Sequence, residues 1–137
     1  MRRCVLTAVM MVFLIPSLLA GSGPKVRVER LAQTSQSWNA AELPGYPAGQ
    51  PEVTILRITI PKGAVLPRHA HPVINAGVLL RGELTVETET GKTLRLQAGE
   101  AIVEVVDIWH SGQNTGDGPA EIIVFYAGSK GRPITVK

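Results

Sequence analysis

Cysteine, aromatic residues and clustered basic charge are all scarce in this sequence, and each scarcity excludes a class of protein. The only cysteine, Cys4, lies in an N-terminal hydrophobic segment, so the rest of the chain has no disulfide and no thiol nucleophile. Aromatic residues make up 4% of the chain, and the core must therefore be built from valine, isoleucine and leucine. Two of the 14 basic side chains lie in residues 1–22, and the other 12 stand against 11 acidic ones without forming a run. Nucleic-acid binding is therefore not expected.

The first 22 residues have the layout of a secretory signal peptide. Arg2 and Arg3 give a positive start, an apolar run extends from Cys4 to Ala20, and small residues follow. We expect cleavage after Ser22 or after Ala20. The alternative is an uncleaved membrane anchor, but a run of about 17 residues with an internal proline is short for a hydrocarbon layer of about 30 Å. The mature protein is expected in the periplasm or outside the cell, with no membrane association after the leader is removed.

The mature chain shows the pattern of an all-β domain. Residues 23–51 predict an edge strand near Val26 and Val28, followed by a loop rich in proline and glycine. A single domain is expected over residues 52–137. There, apolar and polar residues alternate in short segments separated by turn signals, and no segment has a helical period. The predicted strands cover 56–60, 73–80, 83–89, 92–97, 101–106 and 121–126, which indicates a β-sandwich or barrel.

The three histidines of the chain fall in two clusters and suggest a metal site. His69 and His71 are two residues apart, and on a strand such residues point to the same face. Asn75 keeps the same parity, and His110 follows after a hairpin that can bring the chain back alongside. A lone histidine is usually structural, but two imidazoles on one apolar face need a polar partner. Three neutral imidazoles suit Zn, Cu, Fe or Ni and leave a coordination position open.

The segment from Gly63 to Gly82 resembles the first motif of the cupin superfamily. That motif consists of a glycine, five residues, His-x-His, three or four residues, a glutamate, six residues and a glycine. His69 and His71 occupy the histidine positions, and every spacing fits. The departure is Asn75, which stands where the family has a glutamate ligand.

The segment from Gly99 to Asn114 resembles the second cupin motif. Gly99, His110 and Asn114 match in register, whereas Val105 replaces the motif's proline and Asp107 its second glycine. The resemblance covers roughly residues 52–127. It implies a small antiparallel jelly-roll barrel with a small-molecule ligand or substrate, and it also suggests a homodimer formed through exchanged or paired edge strands. It further implies a divalent transition metal, namely Zn, Fe, Mn, Ni or Cu, held by His69, His71 and His110.

The roles of Asn75 and Glu104 in the site each have more than one interpretation. Asn75 offers a neutral oxygen, either as a weak fourth ligand or as the holder of a bound water. Glu104 lies in the apolar segment 101–106, six residues before His110. An inward Glu104 would be a general base or a replacement ligand. An outward Glu104 would be a surface residue, paired for example with Arg57 or Arg68.

Three functions are compatible with the sequence. The first is an exported cupin that binds a divalent metal and a small ligand, as a sensor or storage protein. The second is a metal-dependent enzyme, such as an oxidoreductase of the dioxygenase type or an isomerase. The third is a cupin without metal that binds a small ligand or serves a structural role. The direction of Glu104 bears on the enzyme hypothesis, because acid–base catalysis needs such a group. The fold alone does not decide among the three.

Overall fold

The computed structural model describes residues 23–137, so the signal peptide expected at residues 1–22 lies outside the described part. Within it, all regular structure is β-strand, as the sequence predicts. No helix in residues 23–137 is long and apolar enough to span a membrane. The strands are β1 (Pro51–Ile60), β2 (Val65–His69), β3 (Ile74–Arg81), β4 (Glu83–Thr88), β5 (Thr93–Gln97), β6 (Ala101–Val103), β7 (His110–Gln113) and β8 (Ala120–Ser129).

These strands form two antiparallel four-stranded sheets that face each other. The first sheet has the order β1-β8-β3-β6 and the second the order β2-β7-β4-β5. Strands β1 and β8 pair over their whole ten-residue length, although they come from opposite ends of the domain. The apolar core lies between the sheets, and its buried members come from both: Ile60, Val73, Leu79, Leu84, Val86, Leu96, Ile102, Ala120, Ile122, Val124 and Tyr126.

The alternation in the sequence correctly predicts which face of a strand is buried. In β4, Leu84 and Val86 are buried, whereas Thr85 and Glu87 lie on the outer side. One expected strand is shorter than predicted, since β6 ends at Val103 instead of residue 106. Two strands were not expected as elements, β2 and β7, and they carry His69 and His110.

The edge strand expected near Val26 and Val28 is absent. Val26 is 92% exposed and Val28 is 88% exposed, and residues 23–34 contain no strand. Two apolar residues in alternation do not make a strand without a partner edge to receive their backbone hydrogen bonds. The one backbone pairing within residues 23–50 is an isolated bridge between Gln36 and Glu42. Residues 43–50 have no regular structure, as their proline and glycine content predicts.

Two glycines at turns predict a measurable difference in stability. Gly82, between β3 and β4, has a φ of 78°, and a Cβ there would lie 2.8 Å from the Cα of Ala120. Gly91, between β4 and β5, has a φ of 82° and open space around the same position. Gly91→Ala should therefore cost about 1 kcal/mol from the left-handed backbone alone, and Gly82→Ala about 3 kcal/mol because a steric clash is added. Urea unfolding of the two variants measures this, and equal losses would contradict the expected clash.

Candidate metal centre

Two of the three histidines are brought together by strand pairing. His69 ends β2 and His110 begins β7, and the two residues are direct partners in the antiparallel ladder. Their side chains therefore project from the same face of the second sheet, with ring centroids 4.4 Å apart.

His71 joins them although it lies just beyond the end of β2. Its neighbour Ala70 pairs with Val136 in an isolated bridge, which keeps the chain extended past His69. The His71 ring is 4.9 Å from that of His69 and 5.1 Å from that of His110, measured between centroids. All three histidines are thus positioned to bind one metal ion, and one nitrogen from each lies within 4.8 Å of the others.

The backbone fixes the orientation of all three imidazoles. The Nδ1 atom of His69 lies 2.6 Å from the carbonyl oxygen of Pro67, and the Nδ1 atom of His110 lies 2.9 Å from that of Ile108. The Nδ1 atom of His71 lies 2.9 Å from the carbonyl oxygen of Ile134. A carbonyl oxygen only accepts hydrogen bonds, so each ring carries its proton on Nδ1 and keeps the lone pair of Nε2 for a metal.

The three imidazoles are held in the neutral form that binds metals. Burial lowers the pKa of His71 to about 4. Burial also lowers the pKa of His69 and that of His110, and in each the hydrogen bond from Nδ1 to a carbonyl opposes the shift. Near neutral pH, metal binding therefore requires no deprotonation of these rings.

Glu104 points inward, towards the histidines. Its Oε2 atom lies 3.8 Å from Nε2 of His110. The surface alternative does not occur, because Arg57 pairs with Glu121 and Arg68 pairs with Glu89. Burial raises the pKa of Glu104 to about 7, against smaller opposing effects of His69 and of a backbone hydrogen bond at Val105.

Asn75 also faces the histidines, from β3 in the opposite sheet. It is 1% exposed, and its Nδ2 atom donates a long hydrogen bond of 3.4 Å to the carbonyl oxygen of Val73. Its Oδ1 atom is buried and has no hydrogen-bond partner. Because an amide oxygen can bind a cation or a water, this atom is available to either.

Unpartnered polar atoms concentrate at this site. In residues 23–137, four buried side-chain polar atoms lack a hydrogen bond: Trp38 Nε1, Asn75 Oδ1, Glu104 Oε2 and His110 Nε2. Leaving such an atom unsatisfied costs about 1–3 kcal/mol. Asn75, Glu104 and His110 line one cavity together with the other two histidines. A divalent cation held by the three histidines would satisfy Nε2 of His110 and would lie in the same cavity as the other two atoms, so the residues present fit a metal ion.

The histidines lie at the polar end of a cavity inside the barrel, which we call the barrel cavity. Its volume is about 230 Å³. Strand register places Asn75 beside Tyr126 at this end, and Val124 and then Ile122 follow along β8 towards the apolar end. On the facing sheet, Val86 lies opposite Gly112, two positions along β7 from His110. The further apolar wall residues are Leu56, Ile58, Leu66, Pro67 and Leu84.

The contribution of residues 134–137 was not predicted. Ile134 orients His71 through its carbonyl oxygen, the hydroxyl of Thr135 lies 3.2 Å from the same Nδ1 atom, and Lys137 lines the barrel cavity. The alternation Ile134-Thr135-Val136 is the one local signal that these residues form an extended segment. Trp38, whose indole is buried beside Glu104, was also missed, because it lies outside both motifs.

The family comparison agrees with the fold and with the histidine spacing. Residues 56–126, more than half of the chain, match the family model of the cupin domain, and the chain therefore belongs to the cupin family. No curated protein matches the sequence.

Several solved structures share the fold. An oxalate oxidase in complex with the substrate analogue glycolate is 26% identical, with a TM-score of 0.53, over 61% of this chain and 45% of that chain. A conserved protein with a double-stranded β-helix domain from Klebsiella pneumoniae is 18% identical, with a TM-score of 0.54, over 66% of this chain and 86% of that one. A DMSP lyase from Ruegeria pomeroyi is 24% identical, with a TM-score of 0.53, over 61% and 42%. The present chain thus matches less than half of the oxalate oxidase chain.

Proposed function

We propose that this protein is a metal-dependent enzyme that acts on a small molecule in the barrel cavity. The observation that carries the proposal is the buried Glu104 carboxylate beside three imidazoles with free Nε2 atoms. A binding protein needs a metal and a cavity, but it has no need for a buried carboxyl group whose pKa is near neutral. Such a group beside a metal site is typical of acid–base catalysis.

Each residue has a distinct role in this proposal. His69, His71 and His110 hold the ion, and their neutral donor set suits zinc, iron, manganese, nickel or copper. A bound ion supplies Lewis acidity to an oxygen of the ligand. Glu104 holds a proton at Oε2 or accepts one there. The apolar walls exclude water from the ligand.

The likeness to oxalate oxidase supports a small organic acid as the substrate. That structure contains the substrate analogue glycolate, a small carboxylate, and is 26% identical to this chain. The cavity of the present chain accommodates a ligand of this order of size. The particular reaction and substrate of this chain are part of the proposal.

Metal analysis tests the proposal directly. Protein purified without added metal, then titrated in turn with zinc, iron, manganese, nickel and copper against a competing chelator, should bind one ion per chain with at least one of the five. Activity should then depend both on that ion and on Glu104. Failure to bind any of the five metals would refute the enzyme proposal and favour the metal-free ligand-binding function instead.

Asn75 offers a second test of where the ion lies. Asn75→Glu restores the carboxylate of the family motif, and an added anionic ligand should tighten zinc binding about tenfold or more. Asn75→Ala should weaken binding only slightly, because a neutral amide oxygen is a poor ligand. Competition titration at a single pH measures both variants, with circular dichroism as a control for folding. Unchanged affinity in a folded Asn75→Glu protein would mean that this side chain does not reach the ion.

A further inference from the structure

We propose that the ligand of the barrel cavity is a small carboxylate with an apolar body, and that Lys137 binds its carboxylate group. This inference rests on the proposed function, because the histidine-bound ion forms the other half of the anion site. It goes further by naming the substrate class and a residue that recognises it.

The cavity is divided into a polar end and an apolar end. Asn75, Tyr126 and the three histidines lie at one end, and the side chains of Val124, Ile122, Val86 and Leu84 follow in register towards the other. A ligand that satisfies both ends has one polar head and a hydrocarbon body. A sugar or a polyanion would leave polar groups buried against hydrocarbon.

Lys137 supplies a positive charge beside the metal ligands. It is exposed yet lines the barrel cavity, so it lies at the rim. The cavity that it lines is the one that His69 and His71 also line. Pairing of Val136 with Ala70 fixes the backbone directly before Lys137. Lys137 forms no salt bridge with any residue of 23–137.

The charge balance of the cavity favours a monoanion. Among the side chains of residues 23–137 that line it, Glu104 and Lys137 are, apart from the histidines, the ones that carry a charge of their own near neutral pH. A bound divalent ion and one ammonium group attract an anion, whereas Glu104 opposes a second negative charge nearby. The ligand therefore carries a single carboxylate at the polar end.

The size of the cavity limits the apolar body. An enclosed cavity of about 150 Å³ accommodates benzene, and the barrel cavity of about 230 Å³ is moderately larger. Benzoate and butyrate are therefore suitable probes, with acetate as a probe that lacks the apolar body and benzyl alcohol as one that lacks the charge.

Calorimetric titration of the zinc-loaded protein tests the inference. Benzoate and butyrate should bind more tightly than acetate, and benzoate more tightly than benzyl alcohol. Lys137→Gln should weaken benzoate binding about tenfold, without loss of affinity for zinc or for benzyl alcohol. Lys137→Arg should retain most of the affinity for benzoate. Lys130→Gln is the matched control, since this exposed lysine does not line the cavity, and it should change nothing.

The outcomes separate this inference from the proposed function. If the protein binds no zinc, the proposed function fails. If zinc binds but Lys137→Gln leaves the affinity for benzoate unchanged, or if benzyl alcohol binds as tightly as benzoate, the carboxylate assignment is overturned and the metal site stands.

Discussion

Replacing His71 by alanine should weaken zinc binding at least a hundredfold. The remaining two imidazoles cannot enclose the ion, and the position left by His71 is not refilled, because its ring is 4% exposed and closely surrounded. Loss of a residue that merely supports a ligand costs about ten- to a hundredfold in affinity, and loss of the ligand itself costs more. Competition titration with a chelator measures the change directly.

Thermal unfolding provides a second readout of the same loss. Free zinc at about 100 times its dissociation constant should stabilise the parent protein by about 2.7 kcal/mol. The same zinc concentration should leave the His71→Ala protein almost unaffected. Thr135→Val is the matched control, since it removes only the hydroxyl near Nδ1 of His71 and leaves the carbonyl oxygen of Ile134 in place. Its affinity should fall less than tenfold, and an equal loss in both variants would contradict the assignment of His71 as a ligand.

Glu104→Gln should stabilise the metal-free protein at alkaline pH. Burial raises the pKa of Glu104 from 4.5 to about 7, so the folded protein binds this proton more tightly than the unfolded chain does. The contribution to stability is fully present below pH 4.5 and is lost as the pH rises through 7. The full shift corresponds to about 3 kcal/mol. Glutamine keeps the shape of the protonated acid and has no charge to bury.

The difference in stability between parent and variant separates the effect of Glu104 from that of the histidines. The lowered histidine pKa values act in the opposite direction, since they reduce stability as the pH falls below 6.5. They are common to both proteins and largely cancel. Urea unfolding with chelator present should give equal stabilities near pH 4 and a variant more stable by about 3 kcal/mol at pH 8. If the difference in stability between the two proteins does not change with pH, the ionised Glu104 carboxylate does not lie in a buried environment.

Zinc should reverse the order of stability of the parent protein and the Glu104→Gln variant. A bound cation beside Oε2 stabilises the ionised carboxylate, so Glu104→Gln should weaken zinc binding at pH 8 while it stabilises the metal-free form. A group that costs stability in one state and supports binding in the other is what selection for function retains.

The sequence predicted the elements in which one face is buried and the other is not. The alternation of Leu84 and Val86 with Thr85 and Glu87 identified β4 and its buried face, because burial on one side imposes a two-residue period. Strands β2 and β7 lack this pattern. Val65 is exposed at an edge, Pro67 interrupts the run, and His110 and Gly112 take the inward positions of β7. Residues that form the site thus replace the alternating apolar residues from which β2 and β7 could have been predicted.

The histidine cluster was predictable, and its surroundings were not. Spacing within the two motifs brought His69, His71 and His110 together. The direction of Glu104 could not be derived from parity, because β6 ends at Val103 and the chain then turns before β7. The hydrogen bond from His71 to Ile134 joins residues 63 positions apart, and no local pattern reports such a contact.

That distance along the chain also bears on when the proposed metal site can form. The ring of His71 takes its binding orientation only when residues 134–136 have reached Ala70, and β1 finds its partner β8 across a similar separation. Contacts between remote segments form late and slowly in folding. The unfolded chain therefore presents no preassembled site, and metal capture follows folding instead of directing it.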